Sequence, residues 1–455
     1  MKPLSLKEII ESTGASCAFD GDLTVTGVSS DTRTIQKGDL FVALVGERFD
    51  GNDYVNVAAE SGAVAALCSK PVEADIPVLL VDDTLNALHR LAEYYRTLLD
   101  IRVVAVTGSN GKTTTRDMTK AVLASAYKVY STEKNYNNEI GLPKTILQTD
   151  GDFDIAVLEV GMNHLGEISR LTKIGKPDVA LITNIGKAHI GNLGSQDNIL
   201  KAKLEILEGL NPDGLVIFNG DDAYLRKADA NGFRKAFVGI NGEAELKAED
   251  IEVKDGKTYY TAVYDGKKYR GSIPVIGNYN VLNSLEAMRC GIEFGIMPDE
   301  AFKALADYQS VGMRCEAETV GGVTLVKDYY NASPDSSRVA LEALGDYTQG
   351  GKKTALLGEM LELGDYSAAE HKALGEMCVK NGVELALFIG DDCASFKEGM
   401  PSATVFAKAE REAYAEKIKS LVTEGRISKG DAVLIKASRG TKMEDFYEVI
   451  KAALQ

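Results

Sequence analysis

The sequence predicts an α/β protein of three domains, with a parallel sheet and a phosphate-binding loop in the central one and a second, smaller α/β domain after it. Three observations lead there. A chain of 455 residues is too long for one ordinary core and suits about three domains of roughly 100 to 200 residues. From Ile101 onward, nearly continuous apolar runs alternate with helical segments, as strands buried on both faces of a parallel sheet do. The stretch "VTGSNGKTTT", residues 106–115, places glycines between an apolar run and a helical pattern.

Residues 1–99 are expected to form the first domain. They hold short apolar runs, "DLFVALVG", "AVAALCS" and "IPVLLVDD", between turn signals, then the helical stretch "TLNALHRLAEYYRTLL" leading into the next domain. In the second, residues 100–311, "VVAVTG", "DIAVLEVG", "DVALITNI" and "GLVIFNG" are four candidate strands. Ligand sites in such sheets form beyond the carboxyl ends of the strands. Helices are expected from Thr113 to Ala126 and over "NILKAKLEILEGL". After "VGMRCE" the third domain, residues 312–455, repeats the theme with "GVTLVKDY", "KTALLGEM", "ELALFIGD" and "AVLIKAS".

With 45% hydrophobic and 26% charged residues the composition is that of a soluble globular protein. The balance of 51 basic against 67 acidic residues, a net charge of −16, argues against a nucleic-acid or anionic-membrane surface. Any anionic ligand must then meet a local positive site. The N-terminal stretch lacks the apolar core of a signal peptide and no run reaches transmembrane length, so a cytoplasmic protein without membrane insertion is expected. Six scattered cysteines without a Cys-x-x-Cys pair suggest buried thiols rather than a zinc site or a disulfide framework.

A strand-to-helix turn aims backbone N–H groups and the positive end of a helix dipole at one point. Gly108 and Gly111 remove side chains where the chain curls round an anion, Lys112 adds a charge for the outer phosphates, and Thr113 offers a hydroxyl to magnesium. The usual first glycine of such loops falls on Val106, so this is a shortened variant. Glu159 ends "DIAVLEVG" and "DVALITNI" leads through Gly186 to His189, so both side chains can reach the sheet edge that carries the loop. Oxygen ligands suit Mg²⁺, hence Glu159 and Thr113; taken alone, His189 reads as a hydrogen-bonded loop histidine.

Lys203 says more. At about 100° per residue, Ile199, Leu200, Leu204, Ile206, Leu207 and Leu210 fill one stripe with Lys203 near its middle, while Lys201, Glu205 and Glu208 lie off it. A lysine pointed at a core loses hydration, so its pKa falls and its neutral amine becomes available. That amine can add carbon dioxide to form a carbamate, an anionic two-oxygen metal ligand. Taken alone, the pattern reads as a snorkelling lysine.

These residues carry a close resemblance to the Mur ligases, ATP-dependent amide-forming enzymes of peptidoglycan precursor synthesis, over nearly the whole chain. "SSDTRTIQKGDLFVALVGERFDGNDYV" resembles their uridine-nucleotide domain; "TGSNGKTTT", "NYNNEIGLP", "LEVGMNHLGEI", "TNIGKAHIGNLGS", "KAKLEI" and "GNYNVLNSLEA" the ATPase domain; "KDYYNASPDS", "LLGEMLELGDYSAAEH" and "LIKASRGTKME" the C-terminal domain. The resemblance implies a central P-loop parallel-sheet ATPase domain and a C-terminal Rossmann-like α/β domain; a monomer is expected, though the residues leave the oligomeric state open. It also implies a reaction that joins D-alanyl-D-alanine to UDP-N-acetylmuramoyl-tripeptide through an acyl phosphate.

Carried over by position, the resemblance implies that Gly108, Ser109, Asn110, Gly111, Lys112, Thr113 and Thr114 hold ATP. Thr113 and Glu159 would take one Mg²⁺ ion, and His189 with carbamylated Lys203 a second that bridges ATP and the acceptor carboxylate, which makes Lys112, Glu159, His189 and Lys203 the catalytic set. Asn283, Tyr330 and Asn331 would touch the adenosine, Arg314 would lie near the phosphates or the linker, and Ser30, Thr32 and Arg33 would lie by the uridine diphosphate. Two departures are Gly191, where a glutamate is frequent, and Ala437, where a glycine is more usual; the Asp-Asn-Pro-Arg motif of the ligase that adds the third residue is absent. The competing expectations are a folate-type ligase, disfavoured by the uridine-nucleotide block, and a nucleotide-dependent switch or UDP-sugar-binding protein, in which the striped lysine and the acidic strand end have no purpose.

Overall fold

The computed structural model describes residues 1–19, 21–310 and 312–455; the expected domain boundary at residue 311 lies outside the described residues. Sheets of four, nine and six strands follow one another along the chain. The first is parallel, in the order β1 (Gly27–Ser29), β2 (Asp39–Val42), β3 (Ala65–Cys68) and β4 (Val78–Leu80). Helix α1 (Thr84–Thr97) starts where Asp83 caps the Asn86 N–H at 2.8 Å, and buries Leu88, Leu91, Ala92 and Tyr95 along one face. Its last turn is tied to the next unit. The Tyr95 hydroxyl donates to the Thr149 carbonyl, and the buried Arg96 guanidinium donates to the carbonyls of Gly175, Leu99 and Ile101 at 2.9 to 3.0 Å. Bonds from a charged donor contribute about 1.5–3 kcal/mol each, so the bonds to Gly175 and Ile101 tie the end of α1 to the central unit.

The central sheet contains the four expected strands as neighbours and five more. Strands β5 (Arg102–Thr107), β6 (Val129–Ser131), β7 (Ile155–Glu159), β8 (Val179–Ile182), β9 (Leu215–Asn219) and β10 (Arg234–Gly239) lie in the order β6-β7-β5-β8-β9-β10, all parallel. Strand β11 (Leu246–Lys254) joins β10 in parallel, then turns back through β12 (Lys257–Tyr264) and β13 (Lys267–Ile273) as an antiparallel meander. No apolar run announces the meander because one face is partly solvated and its residues alternate in burial. Helices α2 (Lys112–Leu123), α3 (Gly141–Gln148), α4 (Glu167–Gly175), α5 (Gln196–Leu204) and α6 (Asn278–Glu293) complete the unit. Met118 and Val122 of α2 and Val281, Leu285 and Met288 of α6 share one apolar core against β5, β7 and β8.

Two helices differ from expectation. That after the phosphate loop ends at Leu123 instead of Ala126, and the lysine-bearing helix is α-helical only to Leu204 before tightening to a 3₁₀ turn over Glu205–Gly209. The Glu205 carboxylate accepts the N–H groups of Gly166 (2.7 Å) and Ser169 (3.2 Å) at the start of α4, which draws this turn out of register with the α-helix.

The third unit contains β14 (Glu316–Val320), β15 (Val323–Lys327), α7 (Pro334–Ala343), β16 (Lys353–Gly358), α8 (Ser367–Lys380), β17 (Leu385–Ile389), β18 (Thr404–Phe406), α9 (Arg411–Thr423), β19 (Ala432–Lys436) and α10 (Glu444–Leu454). Its sheet order is β14-β15-β19-β16-β17-β18, parallel except for the β14–β15 hairpin. The two unexpected strands, β14 and β18, are its edges. Cys68, Cys290 and Cys378 are buried free thiols, whereas Cys17, Cys315 and Cys393 are half-buried. Among the described residues no helix is long and apolar enough to cross a membrane.

Candidate active site

The phosphate loop leaves the carboxyl end of β5, where the strand order reverses between β7 and β8. The exit of β8 shapes it: the Ser109 N–H donates to the Asn184 carbonyl at 2.9 Å, the Asn110 N–H to Asn184 Oδ1 at 3.0 Å, and the Gly186 N–H to Ser109 Oγ at 2.9 Å. Two loop N–H groups are therefore committed to protein and are not among those the turn can aim at an anion. The donors that remain belong to the first turn of α2. Its N-cap, Gly111, sits at φ 82°, and a Cβ there would also come within 2.7 Å of Asn283 Oδ1. The Lys112 ammonium folds back onto the Gly108 and Ser109 carbonyls at 2.9 and 3.3 Å. Burial holds its pKa below the usual lysine value, with Glu159 and Glu362 opposing and Arg314 adding to the shift.

Across the loop the Thr113 hydroxyl donates to Glu159 Oε2 at 2.9 Å. Two oxygens cis to each other on an octahedral Mg²⁺ at about 2.0–2.1 Å stand about 2.9 Å apart, so the pair already has that spacing. Glu159 is 2% exposed, and its carboxylate also meets Arg116 Nη1 (3.2 Å) and Asn137 Nδ2 (2.8 Å). Among the described residues no three His, Cys, Asp or Glu side chains cluster as a protein-only cage. A cation here would draw its other ligands from phosphate and water, the usual situation for nucleotide-bound magnesium.

His189, at φ 62°, has its Nδ1 atom 2.7 Å from Glu362 Oε2 but off the line of a hydrogen bond, and among the described residues that buried nitrogen has no other partner. The imidazole beside it holds the Glu362 carboxyl below the usual range. Lys203 is 1% exposed, which leaves no room for a snorkelling ammonium, and burial together with Lys112 pushes its pKa well down.

A cavity of about 750 Å³ opens between the central and third units, lined by Lys112, Glu159, His189, Asn283, Arg314 and Tyr330 among others. Gly108 and Lys203 sit behind its wall. Asn283 on α6 accepts the Thr115 hydroxyl at 3.3 Å, and the Arg314 guanidinium lies 4.0 Å over the Tyr330 ring. Behind the turn that carries Tyr330 and Asn331, buried Lys436 pairs with Asp328 Oδ2 at 2.6 Å and donates to the Asn331 carbonyl at 3.2 Å. Contacts between the units close the cavity's rim. Ser333 Oγ donates to Asn110 Oδ1 (2.9 Å), the Lys187 N–H to Asp335 Oδ2 (2.7 Å), Lys187 Nζ to Glu370 Oε1 (2.5 Å) and the Tyr366 hydroxyl to the Gly194 carbonyl (2.8 Å).

Known proteins are similar to this chain over its whole length. Residues 106–291 match the Mur ligase middle domain, 313–439 the Mur ligase glutamate ligase domain, and 24–96 the Mur ligase family catalytic domain. The UDP-N-acetylmuramoyl-tripeptide–D-alanyl-D-alanine ligase of Bacillus subtilis (strain 168) is 39% identical over 456 residues, covering 99% of this chain and 98% of the relative. The chain belongs to the Mur ligase family. The enzyme of the same name from Escherichia coli (strain K12) is 34% identical over 435 residues, 95% of this chain and 94% of its own. Among solved structures, MurF from Acinetobacter baumannii superposes with a TM-score of 0.93 at 30% identity over 99% of both chains. MurF from Thermotoga maritima in complex with ADP does so with a TM-score of 0.86 at 30% identity over 94% of this chain and 98% of that one.

In this Mur ligase Ser30, Thr32 and Arg33 stand apart from the cavity, at the carboxyl end of β1. Arg33 is bound to Asp31 at 2.6 Å and holds that carboxyl at about 2. Lys144 of α3 donates to Ser30 Oγ at 3.3 Å, which joins this corner to the helix that follows the cavity-lining Asn137 and Asn138. Sequence reasoning missed Arg116, Asn137, Asp335 and Glu362. For Glu362 the signal was weak: it lies four residues past the end of β16, and Glu359 is the acid that directly follows that apolar strand.

Proposed function

We propose that this Mur ligase joins D-alanyl-D-alanine to UDP-N-acetylmuramoyl-tripeptide at the expense of ATP, a step of peptidoglycan precursor synthesis. The observation that carries the reading is one cavity between two units at which a phosphate loop, a Thr–Glu pair spaced for a hard cation and a histidine converge, with a desolvated lysine behind its wall. Full-length similarity to ligases named for that reaction, and to a relative bound to ADP, supports it. In this reading residues 1–99 hold the uridine nucleotide through Ser30, Thr32 and Arg33, residues 100–311 hold ATP, and residues 312–455 close over both and admit the dipeptide. The substrates place the reaction in the cytoplasm, and a monomer suffices because one chain contributes every group invoked.

Lys112 and the first-turn N–H groups of α2 hold the β and γ phosphates and oppose charge that grows on the transferring oxygens. Asn283, Arg314, Tyr330 and Asn331 orient the nucleotide from α6 and the third unit. The acceptor's terminal carboxylate attacks the γ phosphorus, the bond to the bridging oxygen breaks, and ADP leaves an acyl phosphate. The dipeptide amine adds to the acyl carbon, the tetrahedral intermediate expels phosphate, and the nitrogen loses one proton. The rim contacts exclude water that would hydrolyse the acyl phosphate. The neutral Lys203 amine can add carbon dioxide and lose a proton, which places an anion beside Lys112. When bound, two Mg²⁺ ions, one at Thr113 and Glu159 and one at His189 and the Lys203 carbamate, supply Lewis-acid neutralisation of phosphate charge.

The test is the substrate requirement. Phosphate release should need magnesium, ATP, the UDP-linked tripeptide and the dipeptide together, with the UDP-linked pentapeptide appearing in equal amount by mass spectrometry. Robust turnover with a single amino acid in place of the dipeptide would assign the chain to a neighbouring ligase, because a site built for a dipeptide leaves polar groups unpaired when half the ligand is missing.

A further inference from the structure

We propose that Glu362 is a positioning residue: its carboxylate, supplied by the third unit only when that unit is docked, takes the Nδ1 side of His189 and leaves Nε2 to face the second cation. The inference rests on the reading of His189 as a cation ligand. A histidine that binds a cation through one ring nitrogen donates its other N–H to a carboxylate or carbonyl, which sets the tautomer and the ring orientation. Here Glu362 Oε2 lies 2.7 Å from Nδ1, a nitrogen that has no other partner among the described residues, so the carboxylate stands within hydrogen-bond distance of that side of the ring.

The backbone around the pair is built for the meeting. His189 has φ 62° and Glu362 φ 65°, so two non-glycine residues from different units hold left-handed conformations at the point where they touch. The Glu362 carbonyl accepts the Gly191 N–H at 3.0 Å, and a Cβ on Gly191 would come within 2.7 Å of that carbonyl oxygen and of the Gly364 nitrogen. A side chain at 191 would lift the loop and withdraw the carboxylate. Behind the loop, the Met360 N–H donates to Nε2 of fully buried His371 (3.0 Å) and the Leu361 N–H to Ser438 Oγ (2.9 Å). The loop is thus braced on the body of the third unit.

Docking itself explains none of this. The Glu362 side chain is 48% exposed, and an ion pair that open contributes about 0–1 kcal/mol. Lys187 with Glu370 and Asp335, Ser333 with Asn110, and Tyr366 with Gly194 hold the units together without it. What the third unit's arrival changes at His189 is the ring's second partner, so the second cation site is complete only in the docked arrangement.

The experiment titrates Mn²⁺ into the full chain with a non-hydrolysable ATP analogue and the UDP-linked tripeptide, reading free Mn²⁺ by electron paramagnetic resonance, for the wild type, Glu362→Ala, Glu362→Gln and His189→Ala. Hydrogen exchange over residues 186–194 is measured on the same samples. The expected result is one tight ion in every case, with the second weakened about 10- to 100-fold in Glu362→Ala, less so in Glu362→Gln, and exchange at 186–194 unchanged. A Glu362→Ala curve that superposes on the wild type overturns the proposal, as does weakening that appears only with lost protection at 186–194. If His189→Ala loses the second ion while Glu362→Ala keeps it, only the role of Glu362 falls. If His189→Ala keeps both ions, the ligand reading falls and the proposal with it.

Discussion

Beneath the phosphate loop lies a carboxyl that should make the stability of the central unit depend on pH. Glu286 is 1% exposed on α6; its Oε2 accepts the Thr115 hydroxyl at 3.0 Å and, among the described residues, its Oε1 has no partner. Burial raises its pKa from 4.5 to about 8, with Thr115 opposing and Asp222 adding to the shift. Between those values the unfolded chain has released a proton that the folded chain retains, so stability falls as pH rises. Below 4.5 both states are protonated and nothing is lost; above about 8 the loss is complete. Each pH unit in the window costs about 1.4 kcal/mol, so about 3 kcal/mol is lost by pH 7, an upper figure because a charged carboxylate recruits water. Glu286→Gln keeps an acceptor for Thr115 and cannot ionise. Its melting temperature should coincide with the wild type near pH 4.5 and exceed it by roughly 6–12 °C at pH 7, at about 2–4 °C per kcal/mol for a unit of this size. Scanning calorimetry from pH 4.5 to 8 reads the difference. A gap that stays constant over that range, or a variant less stable at pH 7, refutes a protonated, destabilising Glu286.

The remaining predictions concern the two lysines. Lys203→Ala should reduce phosphate release at least about 100-fold, since losing even a supporting partner of a metal ligand costs up to that much, while circular dichroism stays unchanged. Acetate or formate added to this variant should restore part of the rate by replacing the carbamate oxygens, and full activity in its absence would falsify the carbamate reading. Lys112→Ala should lower turnover by about 100-fold or more, the scale of removing one donor aimed at developing charge. It should leave calorimetric binding of the UDP-linked acceptor within about twofold, because that handle lies on another unit. Equal losses in both would mean that the two nucleotides have been exchanged in the assignment.

Much was legible in the residues because its signals are local. A β-branched run, a glycine turn and an amphipathic helix follow one another at the phosphate loop, and a lysine in an apolar stripe has to be buried if the helix packs at all; Lys203 is. The strands buried on both faces were readable for the same reason, whereas β11–β13 and the edges β14 and β18 were not, since a partly solvated or edge strand needs no continuous apolar run. Where a distant partner competes with local periodicity, the local reading failed. Glu205, off the apolar stripe, caps α4 and the helix tightens to a 3₁₀ turn there, and the Ser109 and Asn110 N–H groups turn to Asn184 instead of an anion. The sequence by itself thus determined the chemistry on offer, a phosphate loop, a hard-ligand acid and a desolvated amine. Only the tertiary structure decided which groups meet across the units, His189 with Glu362, Asn110 with Ser333 and Lys187 with Glu370, because each of those pairs joins residues that no periodicity links and that face each other only once the third sheet is seated against the second.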